Sequence, residues 1–337
     1  MAIDLKGRNF LTMLDFSREE ILAVLQTARE LKKRFKGDGA AQAASCGSGT
    51  TNSARYAVDS ARSAADALGP LAGKTLAMIF QKPSLRTRVS FETGMTKLGG
   101  HAIYLSPTDI SLGKRETTED IAIVLSRYVD IIMARVFGHD IVEELAKHAT
   151  VPVINGLSDF SHPCQIMADL LTILERKGRL EGLHACYIGD GNNVAHSLMF
   201  GAARVGMNMT IITPKGYEPQ AEVVESSSTV ASVNGSTITV SNDLASAAGA
   251  DVVYTDVWAS MGQEEEAAHR KQVFSKYRID ADTMKIADPK AIILHCLPAH
   301  YGDEIDYETS RTPNSAIFDQ AENRMHAQNA VMVHLAG

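Results

Sequence analysis

No stretch of this 337-residue sequence approaches the roughly 20 consecutive apolar residues that a bilayer-spanning helix requires. Its opening, MAIDLKGRNFLTMLDF, mixes charge with polarity and lacks the apolar run of a signal peptide. Both absences predict a cytoplasmic protein with no membrane partner. Cysteine is scarce too. Cys46, Cys164, Cys186 and Cys296 include no C-x-x-C pair, and the chain is too long to need disulfide staples. Free thiols in a reducing compartment are therefore expected. Nor is there an excess of positive charge: a formal net charge of -7 argues against a broad nucleic-acid surface. A local basic pocket for a small anion is still compatible with that balance. No internal repeat is visible.

What is present suits a globular enzyme. With 45% hydrophobic and 22% charged residues the chain can bury a core. Its length fits two domains of roughly 100–200 residues. From Ser17 to Phe35, Ile21, Leu22, Leu25, Ala28 and Leu31 fall at helical spacing. The following stretch, Gly37 to Pro70, is rich in Ala, Gly and Ser and nearly free of large apolar groups. Such a segment cannot bury enough surface to offset its ordering entropy, which predicts a mobile loop with at most a short helix from Arg55 to Leu68.

Beyond it the pattern is strand, turn, helix, repeated. Strands are expected at Thr75–Phe80, His101–Leu105, Ile131–Val136 and VPVIN, then at HACYIGD, MTIIT, DVVYTDV and AIILHCL. Helices are expected at Val89–Leu98, Thr118–Tyr128, Gln165–Arg176 and Val194–Val205. This alternation implies an α/β fold of two doubly wound parallel-sheet domains of similar size, divided near Pro163 and linked by interdomain helices. In open α/β sheets ligands lie beyond the carboxyl ends of the strands, so the residues just after each strand are the ones to inspect.

The first strand runs into QKPSLRTRVSFE. Pro83 and Ser84 suit a helix start, with Ser84 as N-cap. The N–H groups of Ser84, Leu85, Arg86 and Thr87 then lie at the positive end of a helix dipole. Arg86 adds a planar cationic fork and Thr87 a hydroxyl, the parts of a phosphate site that needs no Walker loop. Arg135, at the end of IIMARVF, is either a snorkelling surface residue or a second cation on the same anion. His162 and Gln165, in SHPCQ, suit either a helix cap or the polarisation of a carbonyl and the holding of an amide.

The segment CYIGDGNNVAHSL resembles a dinucleotide turn at Gly189 and Gly191. However, Val194 occupies the third glycine position, and MTIIT ends in Thr213 and Pro214 with no acid for a ribose hydroxyl. Asn192 and Asn193 instead offer amides to a zwitterionic amino acid. In DVWASMGQEEE, Asp256 is placed to pair with an ammonium, and Ser260 with the Met261 backbone to hold α-groups around Trp258; a capped loop with a buried Trp is the bland alternative. AIILHCLPAH brings His295, Cys296 and Leu297 to a strand end. No compact His/Cys spacing suggests a metal, and no cofactor is expected.

Together SLRTR (Ser84 to Arg88, with Phe91 and Glu92 soon after), HPCQ (His162 to Gln165) and GDGNN (Gly189 to Asn193) resemble the transcarbamoylase family. DVWASMG (Asp256 to Gly262), HCLP (His295 to Pro298) and AENRM (Ala321 to Met325) extend the resemblance over nearly the whole chain from Lys6, apart from Gly37 to Pro70. It implies a carbamoyl phosphate-binding domain over 1–160 plus a C-terminal helix 318–337, carrying the insert 37–70. It implies an ornithine-binding domain over 161–317.

Ser84, Leu85 through its backbone, Arg86, Thr87 and Arg135 are similar to the family's phosphate clamp. His162, Gln165, Cys296, Leu297 and Arg324 are similar to its carbamoyl ligands. Asn193, Asp256, Ser260 and Met261 match its ornithine-binding positions, and Arg86, Arg135, His162 and Cys296 its catalytic groups. Aspartate-specific members lack D-x-W-x-S-M-G and carry proline in place of Cys296, so the resemblance implies carbamoyl transfer from carbamoyl phosphate to L-ornithine, giving L-citrulline in arginine metabolism, in its synthesis or its breakdown. Leu85 departs from the threonine common in the motif, and the insert has no counterpart. Lys114 and Arg115 lie where relatives extend a loop toward a neighbouring subunit, which implies a homotrimer with active sites near subunit interfaces.

Overall fold

A computed structural model describes residues 3–37, 69–110, 112, 115–259 and 264–337. The expected helix from Arg55 to Leu68, most of the insert, Cys46, Lys114, Ser260 and Met261 lie outside the described residues. The chain divides into two compact units: Met1–Leu11, Leu22–Leu157 and Met325–Gly337 form the first, and Thr12–Ile21 with Ser158–Arg324 the second.

The first unit takes most of α1 (Arg18–Lys36), whose Ile21, Leu25, Ala28 and Leu31 are buried. It continues through β1 (Thr75–Phe80), α2 (Leu85–Lys97), β2 (His101–Leu105), α3 (Pro107–Ile110), α4 (Thr118–Leu125), β3 (Ile131–Arg135), α5 (His139–His148) and β4 (Val153–Leu157). The four strands pair in the order β2-β1-β3-β4, all parallel. β1 from Leu76 to Phe80 and β3 from Ile131 to Ala134 are apolar and buried because helices cover both faces of a parallel sheet. Ala77, Ile79, Ile132 and Ala134 form one core with Ile121 and Ala122 of α4 and Val142 and Leu145 of α5.

The second unit holds α6 (Pro163–Lys177), β5 (His184–Ile188), α7 (Asn193–Val205), β6 (Asn208–Ile212), α8 (Ala221–Val233) and β7 (Ile238–Ser241). β8 (Val252–Thr255), α9 (Ala267–Phe274), α10 (Ala281–Ile286), β9 (Ile292–His295) and the start of α11 (Ile317–Ala336), as far as Arg324, follow. Its five strands run parallel in the order β7-β6-β5-β8-β9. α6 begins on Pro163, whose missing N–H costs nothing in a first turn, and ends on Gly178 in the left-handed conformation (φ 76°).

Both sheets therefore have a topological switch point. In the first it lies between β1 and β3, from which the chain departs in opposite directions, and in the second between β5 and β8.

Several expectations need correction. α2 starts at Leu85 rather than Val89, because the Ser84 cap makes its first turn helical. α4 ends at Leu125 rather than Tyr128. The division falls after Leu157 instead of near Pro163, and α1 and α11 each cross it. Thr12–Ile21 groups with the second unit, where Arg204 Nη2 donates to the Leu14 carbonyl at 2.7 Å and Arg18 pairs with Glu181. Residues 318–324 group there too, since Asp319 pairs with Arg176 and Asn323 Nδ2 donates to Thr172 Oγ1 at 3.0 Å.

Candidate active site

In the first unit, Ser84 is extended (φ -155°, ψ 116°) and its Oγ accepts from the Thr87 N–H at 3.3 Å. The same hydroxyl donates to Thr87 Oγ1 at 3.1 Å, and Thr87 is buried. The Leu85 side chain is 74% exposed, which leaves its backbone as the part able to serve an anion at this helix start. Arg135 ends β3 opposite Phe80 of β1 and is nearly buried. A bulge between Ala134 and Arg135 alters the pairing with β4 at that point. Gln81 ties the two strand ends together: its N–H donates to the Arg135 carbonyl at 2.9 Å, and its Oε1 accepts from the Phe137 N–H at 2.8 Å. Ser84, Arg86 and Thr87 after β1, and Arg135 on β3, thus share the switch point of this sheet. Arg88 is turned elsewhere, 3.9 Å from the Tyr104 ring centroid and paired with Glu92 at 3.1 Å.

In the second unit, His162 precedes α6, is buried, and donates its backbone N–H to Ser197 Oγ at 2.8 Å. Its side chain does not cap the helix. Gln165 Oε1 accepts from Arg324 Nη1 at 2.7 Å, which brings the HPCQ and AENRM segments together. Asp256 follows β8. Its Oδ1 accepts from the Val257 N–H at 2.8 Å and from the Cys296 thiol at 2.9 Å, and its Oδ2 from Asn192 Nδ2 at 3.1 Å. Asn193 Nδ2 is committed to the Ser158 carbonyl at 2.6 Å, which leaves its oxygen for other partners. Trp258 is buried and stacks on Phe274, as the bland reading of that loop had it.

The arrangement explains why GDGNN is no dinucleotide turn. The Gly191 N–H donates to the Tyr217 carbonyl at 2.9 Å, and Asn192 Oδ1 accepts from the N–H groups of Val194 and Ala195 at 2.9 and 3.2 Å. Donors that would hold a pyrophosphate are already bonded. The glycine is required for a different reason: a Cβ on Gly191 would lie 2.3 Å from Pro219 N and 2.5 Å from Glu218 C.

Several contributors escape a linear reading. Asp190 and Arg270 are both largely buried and pair at 3.0 Å, while Arg270 Nη1 also donates to the Trp258 carbonyl at 3.0 Å. Burial pushes the Asp190 carboxyl up to about 6, against the opposing pull of Arg270. Fully buried Asp169 accepts from Gln165 Nε2 and Gln320 Nε2, and burial pushes its carboxyl up to about 7. The His295 ring sits between Glu304 Oε1, 3.0 Å from Nε2, and the Leu297 N–H, which donates to Nδ1 at 2.9 Å. That bond helps hold Leu297 in the left-handed region (φ 59°), a strained setting for a branched side chain.

Asp256, His295 and Cys296 bring ligand atoms within 4.8 Å of one another, a cluster that their spacing in sequence does not suggest. As folded, both nitrogens of His295 are engaged and the thiol is bonded to the carboxylate. Burial pushes the Cys164 thiol up to about 12, so it is an inert neighbour of Gln165. Cys164, Cys186 and Cys296 form no disulfide among the described residues. No helix among the described residues is long and apolar enough to cross a membrane.

One α/β unit carries a capped helix start with arginines and the other a carboxylate–thiol pair and a Gln–Arg pair, an arrangement that suits an enzyme of the group-transfer class. The "Aspartate/ornithine carbamoyltransferase, carbamoyl-P binding domain" matches residues 8–175, and the "Asp/Orn binding domain" of the same description matches 181–335. The chain belongs to the aspartate/ornithine carbamoyltransferase family. It is 52% identical over 335 residues to an ornithine carbamoyltransferase of Anoxybacillus flavithermus, covering 99% of this chain and 98% of that one. It is 48% identical over 342 residues to the anabolic ornithine carbamoyltransferase of Pyrococcus furiosus, covering 100% and 99%. Among solved structures, an ornithine carbamoyltransferase from Pyrococcus furiosus superimposes with a TM-score of 0.88 at 47% identity, covering 100% of this chain and 99% of that one. The Thermus thermophilus ornithine carbamoyltransferase gives a TM-score of 0.80 at 38% identity, covering 98% and 99%.

Proposed function

We propose that the protein catalyses transfer of the carbamoyl group of carbamoyl phosphate to the δ-amine of L-ornithine, giving L-citrulline and phosphate in arginine biosynthesis. The observation that carries this reading is the Asp256–Cys296 pair beside Asn192, a site for an amine at the carboxyl edge of β8 and β9. Membership of the family and full-length similarity to ornithine-specific relatives support the same substrates.

The phosphate of carbamoyl phosphate is neutralised by Arg86, Arg135 and Arg324, with Ser84, Thr87 and the backbone of Leu85 adding donors. Arg324 is held toward this task by Gln165. His162 and Gln165 hold the carbamoyl oxygen and nitrogen, and the Leu297 carbonyl accepts from the carbamoyl amide. The neutral δ-amine attacks the carbamoyl carbon, the C–N bond forms, the C–O bond to phosphorus breaks, and phosphate departs with its electron pair. The amine's surplus proton leaves with the phosphate or with solvent.

His162, Arg135 and Thr87 stabilise the oxyanion that develops on the carbamoyl oxygen, where acyl transfer usually gains most. Asp256 and Cys296 orient the amine without a covalent intermediate, and Asn193, Ser260 and Met261 hold the α-groups. The amine must be neutral to attack, so the ammonium that Asp256 attracts gives a proton to solvent before the C–N bond forms, and Asp256 then orients the neutral amine by accepting from it.

A homotrimer is part of this reading, with Lys114 or Arg115 serving a neighbouring subunit's site. It is supported by exposed apolar side chains on the first unit, among them Leu85, Val89, Val124 and Tyr128. A cytoplasmic setting is in keeping with the free thiols. The test is ureido-product formation from carbamoyl phosphate offered separately with ornithine, N-acetylornithine, putrescine and aspartate. Citrulline from ornithine alone supports the reading. Product only with another amine overturns the amine site, and product with none leaves a carbamoyl phosphate-binding protein without transferase activity.

A further inference from the structure

Two glutamines of the second unit point their amide nitrogens at one carboxylate. Asp169 on α6 is fully buried, and its Oδ1 accepts from Gln165 Nε2 at 2.8 Å and from Gln320 Nε2 at 2.7 Å. The oxygen and nitrogen of an amide have nearly the same shape, so only partners decide which way a glutamine faces. The Arg324 guanidinium and the His295 backbone N–H can only donate, so each takes an amide oxygen. Both NH2 groups therefore face Asp169, and both oxygens face away from it.

Those oxygens lead to different places. Gln165 Oε1 accepts from Arg324 Nη1 at 2.7 Å. Gln320 Oε1 accepts from the His295 N–H at 2.8 Å, and the His295 ring in turn accepts from the Leu297 N–H at 2.9 Å. Gln320 Nε2 also lies 3.1 Å from the Tyr254 hydroxyl, which closes the cluster on the β8 side. One buried acceptor thus sets the hydrogen-bond polarity of two arms. One arm ends at a carbamoyl phosphate arginine, the other at the Cys296–Leu297 turn.

We propose that Asp169 is a positioning residue for the transfer, fixing the amide orientation of Gln165 and Gln320 so that Arg324 and the His295–Leu297 turn are held in their working places. This inference rests on the proposed function, whose roles for Gln165, Arg324 and Leu297 it extends. A fully buried carboxylate with apolar alternatives open to it is expensive to keep, and the two amides give it a purpose beyond packing.

The experiment measures citrulline formation and carbamoyl phosphate KM on the full chain for wild type, Asp169→Asn, Asp169→Leu, Gln165→Met and the Asp169→Leu/Gln165→Met double variant. Asp169→Asn keeps an oxygen that both amides can reach, and activity within about threefold of wild type is expected because its acceptor is retained. Asp169→Leu leaves two buried donors without an acceptor, and a rise in KM of at least roughly tenfold with a fall in kcat is expected. In the double variant the KM effect should fall short of the product of the two single effects, since the Gln165 arm is already lost and only the Gln320 arm is left to disturb.

A residue with only a structural role would lower the melting temperature yet leave KM unchanged, or would add to Gln165→Met. Should Asp169→Leu fail to fold, Asp169→Glu keeps the carboxylate but displaces it by one methylene, and the same rise in KM is expected. Wild-type kinetics in Asp169→Leu or Asp169→Glu, or additivity with Gln165→Met, overturns the inference alone. Wild-type protein that makes no citrulline overturns the functional reading, and this inference with it.

Discussion

The Cys296 thiol donates to Asp256 Oδ1 across 2.9 Å, and the same carboxylate accepts from Asn192 on its other oxygen. These residues come from the ends of β9 and β8 and from the turn after β5, strands that pair side by side as β5-β8-β9. The carboxylate is oriented before any amine arrives, which reduces what a substrate must reorganise. Cys296→Ser retains a hydroxyl donor and should keep most activity. Cys296→Ala removes the donor, and a loss of about 1.5–3 kcal/mol in kcat/KM for ornithine is expected for a hydrogen bond to a charged group. Steady-state rates over an ornithine series check it, and equal kinetics for the two variants would contradict the role of the thiol.

The start of α2 offers a second test. Ser84→Ala removes the N-cap, which should lower stability by about 1 kcal/mol. It should also shrink the rise in melting temperature that saturating carbamoyl phosphate gives the wild type, because ligand stabilisation scales with affinity. Thermal melts with and without ligand separate the two effects. A lowered melting temperature with an undiminished ligand shift would confine Ser84 to capping.

Asp190 and Arg270 give a pH-dependent expectation. Burial raises the Asp190 carboxyl to about 6 in the folded chain, above its ordinary value of 3.8. Its contribution to stability is therefore fully present below that ordinary value and is lost as pH rises through about 6. Above that range the buried carboxylate is charged and depends on Arg270. Arg270→Met should cost about 3–5 kcal/mol at pH 8, where it strands a buried charge, and clearly less at pH 5, where Asp190 is mostly neutral. Denaturant unfolding at the two pH values checks it, and a larger cost at pH 5 would refute the argument.

Gly191 should be intolerant of any side chain. A Cβ there would press on the backbone of Glu218 and Pro219, which cannot move aside as a flexible side chain can. Gly191→Ala is expected to destabilise by about 1–3 kcal/mol through overpacking and to disturb Asn192, hence Asp256. A crystal structure of the variant would show the displacement, and an unchanged melting temperature would argue against the close approach.

Much of this was readable in the sequence, and the reasons are physical. Buried parallel strands such as TLAMIF and IIMAR are unbroken apolar runs, and polar residues after them stand out. Ser84, Arg86, Arg135, Asp256 and Cys296 were visible as candidates on that ground. β7 was not, because Ile238–Ser241 is only partly buried and carries as much Thr and Ser as apolar character. α5, α8, α9 and α10 do not stand out in the sequence either; α9 and α10 are short, and three of the eight residues of α9 are His, Arg or Lys. Asp169, Gln320, Arg270 and Glu304 were invisible for a different reason. Asp169 with Gln320 and Arg270 with Asp190 are pairs far apart along the chain, which no local spacing encodes, and Glu304 meets His295 only through the turn after β9. The expected domain borders slipped for the same cause, since α1 and α11 are continuous helices whose division is made by packing rather than by a break in pattern.

The central claim is that residues after β1 and after β8 serve one transfer reaction. The most direct measurement is the initial rate of citrulline formation from carbamoyl phosphate and ornithine by wild type, Arg86→Ala and Asp256→Ala in parallel. The account predicts robust citrulline from wild type and a loss of roughly 100-fold or more in each variant, as expected when a charged group is removed from a preorganised site. Unchanged turnover in either variant would contradict it.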